Sequence, residues 1–369
     1  MKIAQIAPLA ESVPPRLYGG TERIVSYLTE ELVRAGHDVT LFASGDSITS
    51  AELVPCVPTA LRLETVVHDP IPYLMLMLDR VRRAAEAFDV FHFHIDALHF
   101  PLFRPLAQRT LTTLHGRQDL ADVKPLYLGF CDMPLVSISD AQRRPLPTVN
   151  FAATIHHGIP ADLLHPTYDP RGGYLAFVGR ISPEKRPDRA IAIARAHNIP
   201  LKIAAKVDRC DEAYFRDQVE PLIDAPGVEF IGEINDRQKS EFLGEAQALL
   251  FPVDWPEPFG LVMIEAMACG TPVLAFRNGS VGEVVDHGVT GVVIDTMDEA
   301  IAAVPRVMAL DRRAVRRRFE ERFTSARMAK DYLALYRSLV DKSKRAKDDH
   351  TELPRVHDHV FNASDVHAG

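Results

Sequence analysis

The sequence predicts an α/β protein of two doubly wound parallel sheets, each Rossmann-like, facing one another across a cleft. Short apolar runs alternate with helix-period runs along the whole chain, the pattern of βαβ units. At 369 residues the chain is longer than one hydrophobic core usually fills. A stretch rich in proline and glycine, Pro166-Thr167-Tyr168-Asp169-Pro170-Arg171-Gly172-Gly173, loses all periodicity near the middle and marks a boundary.

Strands are expected at 2–7, 38–43, 89–94, 110–114, 134–138 and 152–156 in the first half. The second half gives 174–178, 200–206, 228–231, 248–251, 272–276 and 291–294. Helices fill the gaps, the first from Thr21 to Ala35 with Gly36 as its stop. The domains read as 1–168 and 169–323, followed by a helix over 324–342. Residues 343–369 have mixed charge and few large apolar side chains, and read as a disordered tail.

A net charge of −8 argues against a nucleic-acid binder. Cys56, Cys131, Cys210 and Cys269 form no C-x-x-C pair, which suits a reducing cytoplasm. The start reads as a strand, since Pro8 and Glu11 cut short any signal-peptide stretch, and no run is apolar enough to span a membrane. Tyr73–Leu78, followed by Arg80, Arg82 and Arg83, reads as a buried helix, a peripheral membrane contact being the less favoured alternative. Arg312, Arg313 and Arg316–Arg318 alternate with Glu320 and Glu321, a solvated-face pattern. His92, His94 and His99 are too few for a convincing metal site, and the tail histidines His350, His357, His359 and His367 read as solvated.

Two segments carry chemistry. In Trp255–Val273, Glu257 lies just outside a helix and Glu265 seven residues on lies inside it. Gly260 at the entrance lets a ligand approach the backbone, and the first turn offers free N–H groups and a positive dipole end for phosphate. One carboxylate can hold a sugar hydroxyl and the other a ribose, as a nucleotide-sugar site requires. In Tyr174–Asp188 a strand ends in Gly179-Arg180, with Lys185 in the following turn, so both cations can meet one diphosphate.

With Gly19-Gly20, His115-Gly116, Gly179-Arg180 plus Lys185, and Glu257 through Glu265 in this order, the chain resembles the family 4 retaining glycosyltransferases. The resemblance covers about residues 1 to 340 and implies a GT-B fold, with 1–168 on the acceptor side and 169–323 binding the nucleotide sugar. It further implies that Gly19 and Gly20 close over the donor phosphates, that His115 contacts the donor sugar and that Glu257 positions sugar hydroxyls. Glu265 then takes the ribose, Gly232 and Ile234 edge the base, and Phe259, Gly260, Leu261 and Val262 carry the phosphates. The helix over 324–342 crosses back to the first domain.

Asp-x-Asp is absent, so leaving-group charge falls to Arg180, Lys185 and the helix start, and neither cofactor nor metal is expected. The chain departs from its relatives at Ala205-Lys206-Val207-Asp208, where Lys206 can add charge near the diphosphate. It departs again at His156–Pro160 and at Gly282, where relatives often carry proline and glycine implies flexibility. The donor expected first is UDP-glucose and second GDP-mannose, with the acceptor (glycan, lipid-linked sugar or small metabolite) unread. A GT-B epimerase or phosphorylase, and a nucleotide-sugar-binding protein without turnover, are the competing readings.

Overall fold

A computed structural model describes residues 1–348 apart from Tyr18, Thr65, Val66 and Ala225. The tail histidines and most of the expected tail lie outside the described residues. The first sheet contains β1 (Lys2–Ile6), β2 (Asp38–Ser44), β3 (Glu52–Val57), β4 (Val90–Phe93), β5 (Thr110–Thr113), β6 (Leu135–Ser137) and β7 (Phe151–Thr154). Its order is β3-β2-β1-β4-β5-β6-β7, parallel throughout. The second sheet contains β8 (Leu175–Arg180), β9 (Leu201–Lys206), β10 (Val228–Gly232), β11 (Ala248–Phe251), β12 (Val273–Phe276) and β13 (Gly291–Ile294). They run parallel in the order β10-β9-β8-β11-β12-β13. This is the GT-B fold.

The strand β3 is not among those expected from the sequence. Its segment Glu-Leu-Val-Pro-Cys-Val carries Pro55 and is only partly buried, and such a segment is tolerated because β3 is an edge strand. In both sheets the strand order reverses beside the first strand, between β1 and β4 and between β8 and β11. Loops leaving these carboxyl ends diverge there and open a crevice.

The last helix, Ser325–Asp348, continues past the expected end at 342, through a run containing Lys342, Arg345 and Ala346 that favours helix. Its buried Tyr332 and Tyr336 join Ile3, Val90 and Leu111 of the first sheet in one core with Phe259, Met263 and Phe319. The helix therefore ties the first sheet to the second domain's interior.

Two expectations are corrected. The arginine-rich segment is not simply a solvated face: Arg312 and Arg316 on the helix Arg312–Arg322 are buried. Arg312 donates to the carbonyls of Thr167 (2.6 Å), Ala246 (2.9 Å) and Gly244 (2.7 Å) and to Thr271 Oγ1 (2.6 Å). Burial pushes its pKa down to about 10. Arg312→Met should lower the unfolding free energy by about 2–4 kcal/mol in a denaturant titration, because it strands buried acceptors. The helix Ile71–Arg83 buries only Met77, Leu78 and Val81, while Met75 and Leu76 are exposed. It covers the sheet with one face, so its apolar run does not bury it. Among the described residues no helix is long and apolar enough to cross a membrane.

Candidate active site

A cavity of about 490 Å³ opens where the two crevices face each other. Gly19, Gly20 and His115 line it from the first domain. Arg180, Lys185, Lys206, Ile234, Glu257, Phe259, Gly260, Leu261, Val262 and Glu265 line it from the second. Of the predicted residues only Gly232 is not in the lining. It ends β10 with φ 74°, and it is the next residues, Glu233 and Ile234, that reach the cavity.

The helix Leu261–Ala268 starts at Gly260, whose φ of 78° is left-handed. A Cβ there would stand 2.7 Å from Met263 Cε and 3.0 Å from Phe251, so any other residue would be strained in conformation and would also have to move these side chains. The amides of Leu261 and Val262, in the first helical turn, have no intrahelical acceptor, and both residues line the cavity. Gly20 lies over this helix start: a Cβ on it would be 3.4 Å from Leu261 Cδ1. Gly20 thus packs against the start of this helix.

Glu257, 7% exposed, accepts from Lys185 Nζ and, at 2.9 Å, from Trp255 Nε1. Lys185 also sits 4.9 Å from the Trp255 ring centroid, a cation–π contact. Arg180 pairs with Glu184 and lies 3.4 Å from Asp211 and 3.8 Å from Asp208. Lys206 Nζ lies 2.9 Å from Asp208 Oδ1. The cations expected to meet a diphosphate are gathered, but each also has a carboxylate beside it. An anion binding at these cations would compete with those carboxylates.

His115 follows β5 and keeps an accessible edge on the cavity. Behind it runs a buried chain of hydrogen bonds. His94 Nε2 donates to Gln5 Oε1 (2.9 Å), which leaves His94 Nδ1 to accept from His115 Nε2 (2.9 Å). Gln5 Nε2 donates to Tyr336 Oη (3.1 Å), whose hydroxyl bonds His92 Nδ1 (2.6 Å). His92 Nε2 then meets Thr113 Oγ1 (2.7 Å). Burial lowers the His115 pKa to about 3. The ring is therefore neutral at physiological pH, suited to hydrogen bonding rather than to carrying charge. His92, His94 and His99 are engaged in this way with protein partners, His99 with Thr112 Oγ1 at 3.0 Å.

Glu265, 4% exposed, accepts from Lys239 Nζ at 2.7 Å. Lys239 lies on the helix Asp236–Gly244, 3.6 Å from Asp236, and Asp236 accepts from Arg23 of the first domain. Across the cleft, Glu283 accepts from the amides of Asp140 and Ala141 (2.7 Å each) and lies 3.3 Å from His156. The Gly282 loop, read as flexible, is thus anchored to the first domain. Ser280 Oγ also donates to the Phe259 carbonyl at 3.0 Å.

Two family comparisons match adjoining and overlapping parts of the chain: Glycosyltransferase Family 4 over residues 18–197 and Glycosyl transferases group 1 over 168–324. The chain belongs to the family 4 glycosyltransferases. This glycosyltransferase is 25% identical over 332 residues to an uncharacterized glycosyltransferase of Methanocaldococcus jannaschii, covering 78% of this chain and 84% of that one. It shares its fold with AviGT4, a glycosyltransferase of avilamycin A biosynthesis, at TM-score 0.72 and 24% identity over 92% of this chain and 98% of that one. HepE of Anabaena, solved in complex with UDP-glucose, superposes at TM-score 0.66 and 16% identity over 94% and 100% of the chains.

Several lining residues of the glycosyltransferase were not singled out from sequence: Glu22, Arg23, Arg62, His157 and Lys239. Asp236-Arg237-Gln238-Lys239 reads like any solvated helix start, and only the fold shows that Lys239 turns inward. In the sequence His157 stands out only as part of the departure from the family at His156–Pro160. It stacks on His115 at 5.2 Å between centroids, and its Nδ1 is buried without a hydrogen-bond partner among the described residues.

Proposed function

We propose that this glycosyltransferase moves a hexosyl group from a nucleoside-diphosphate sugar to an acceptor hydroxyl, with retention at the anomeric carbon and without a metal. The observation that carries this is the convergence of Lys185, Glu257 and the start of the helix Leu261–Ala268 on one side of the cavity, with Lys239–Glu265 behind them. The diphosphate lies on the amides of Leu261 and Val262, with Lys185 and Arg180 turning from their carboxylates to its oxygens. Glu265 receives the ribose hydroxyls. Glu257, released by Lys185 and still held by Trp255, receives a sugar hydroxyl.

As the C1–O bond to the phosphate breaks, negative charge grows on the leaving diphosphate, where Lys185, Arg180 and the helix dipole stabilise it. The acceptor oxygen bonds to C1 from the same face and its proton passes to the departing phosphate oxygen, so neither a protein base nor a covalent sugar–enzyme adduct is needed. Fixed protein charge takes the place of a cation held by Asp-x-Asp. UDP-glucose is preferred over GDP-mannose because HepE, of the same fold, was captured with UDP-glucose.

Release of free nucleotide from UDP-, GDP- and ADP-sugars in excess EDTA tests this. One donor should be hydrolysed slowly at a rate EDTA does not change, with added acceptor giving an α-linked product from an α-linked donor. Loss of activity in EDTA restored by Mg²⁺, or inversion of the linkage, would refute the mechanism. Binding of donors without any turnover would favour a nucleotide-sugar-binding protein.

A further inference from the structure

The donor reading commits the second domain's side of the cavity, so the acceptor meets the wall formed by the first domain. Charge on that wall points to the class of acceptor. Glu22 lies in the first turn of the helix Gly20–Arg34, where a glutamate ordinarily complements the dipole from solvent. Here it is 5% exposed and lines the cavity. Its carboxylate sits against the glycine pair: a Cβ on Gly19 would be 3.3 Å from Glu22 Oε2. Burial raises its pKa. Gly20 touches the start of the helix that takes the diphosphate, so a molecule held by Glu22 lies beside the reacting end of the donor.

The first domain's nearby cations already have anionic partners. Arg62 pairs with Glu11 at 3.1 Å, and Arg23 with Asp236 while also donating to the Leu17 carbonyl at 2.7 Å. Arg117, over the Trp255 ring, makes two 2.6 Å bonds to Asp119. A phosphate or carboxylate on the acceptor would therefore meet a buried carboxylate, with its nearest guanidinium already matched by Glu11. A hydroxyl, in contrast, donates to Glu22 and accepts from Arg62 without disturbing that balance.

We infer that Glu22, flanked by the Arg62–Glu11 pair, forms an acceptor subsite for an uncharged, polyhydroxylated molecule, a sugar or sugar-like polyol without phosphate. This rests on the donor assignment above.

The test is ligand binding to the UDP-saturated protein, comparing methyl glucoside, maltose and myo-inositol with glucose 6-phosphate and an inositol phosphate by saturation-transfer NMR. Neutral members should bind at least about tenfold more tightly than their phosphorylated partners. Glu22→Gln should weaken the neutral ligands about tenfold and bring the two classes to within about threefold of each other, an effect a purely structural role would not produce. Should that variant fold poorly, Arg62→Ala, at a half-exposed side chain, removes the guanidinium paired with Glu11 and should widen the discrimination against phosphate. Tighter binding of the phosphorylated ligands, or binding of neither class, overturns the subsite. Failure of UDP, GDP and ADP alike to bind overturns the donor assignment first, and the subsite with it.

Discussion

Lys185→Ala should lower kcat/KM by about 10³-fold, most of it in kcat. Lys185 is in contact with both Glu257 and Trp255, so its loss acts in two ways. It removes a positive charge where the leaving diphosphate develops negative charge, and one such preorganised group is typically worth about 3–4 kcal/mol. It also leaves Glu257, 7% exposed, with Trp255 Nε1 as its remaining side-chain donor, so a buried carboxylate faces an anionic substrate. The two effects separate in Lys185→Arg, which restores charge but not the compact ammonium geometry. Ground-state donor affinity should recover in Lys185→Arg more than kcat does. Steady-state kinetics with donor Kd from calorimetry measures both. Equal losses in Kd and kcat/KM for Lys185→Ala would mean that the lysine binds the donor without acting on the transition state.

That expectation depends on an exchange that sequence could not show. The motifs carry residue types and spacing, so Arg180, Lys185, Glu257 and Glu265 were readable as one constellation, and alternating strands and helices gave both sheets. Pairing depends on fold. Arg180 lies among Glu184, Asp208 and Asp211, carboxylates scattered along two loops, and Lys206 shares Asp208 with it. β3 escaped notice because an edge strand needs neither full burial nor every N–H. Arg312 and Arg316 looked solvated because a charge run says nothing about the carbonyls that loops bring to it. The network supporting His115 joins Gln5, His94 and Tyr336, residues from opposite ends of the chain, and no local pattern signals it.

Lys239→Met should raise the donor Kd by about 30-fold or more and lower unfolding free energy by about 3–5 kcal/mol, through one cause. Lys239 and Glu265 form a buried pair at 2.7 Å, with side chains 11% and 6% exposed. Without the ammonium, Glu265 either stays charged in a poorly solvated place or takes up a proton, and in neither case does it receive two ribose hydroxyls as well. The double variant Lys239→Met/Glu265→Gln removes the buried charge altogether and should regain most of the stability. It should not regain donor affinity, because an amide offers one acceptor oxygen where the carboxylate offers two. Stability and binding part company only if Glu265 has a ligand role beyond packing. Asp236 extends the argument across the cleft, since it lies beside Lys239 and accepts from Arg23 of the first domain. Arg23→Met should then weaken donor binding less than Lys239→Met does, and 2′-deoxyribose donors should lose less affinity in Arg23→Met than in the wild type. An unchanged penalty for the deoxy donor would confine Arg23 to holding the two domains together, with no influence on the ribose.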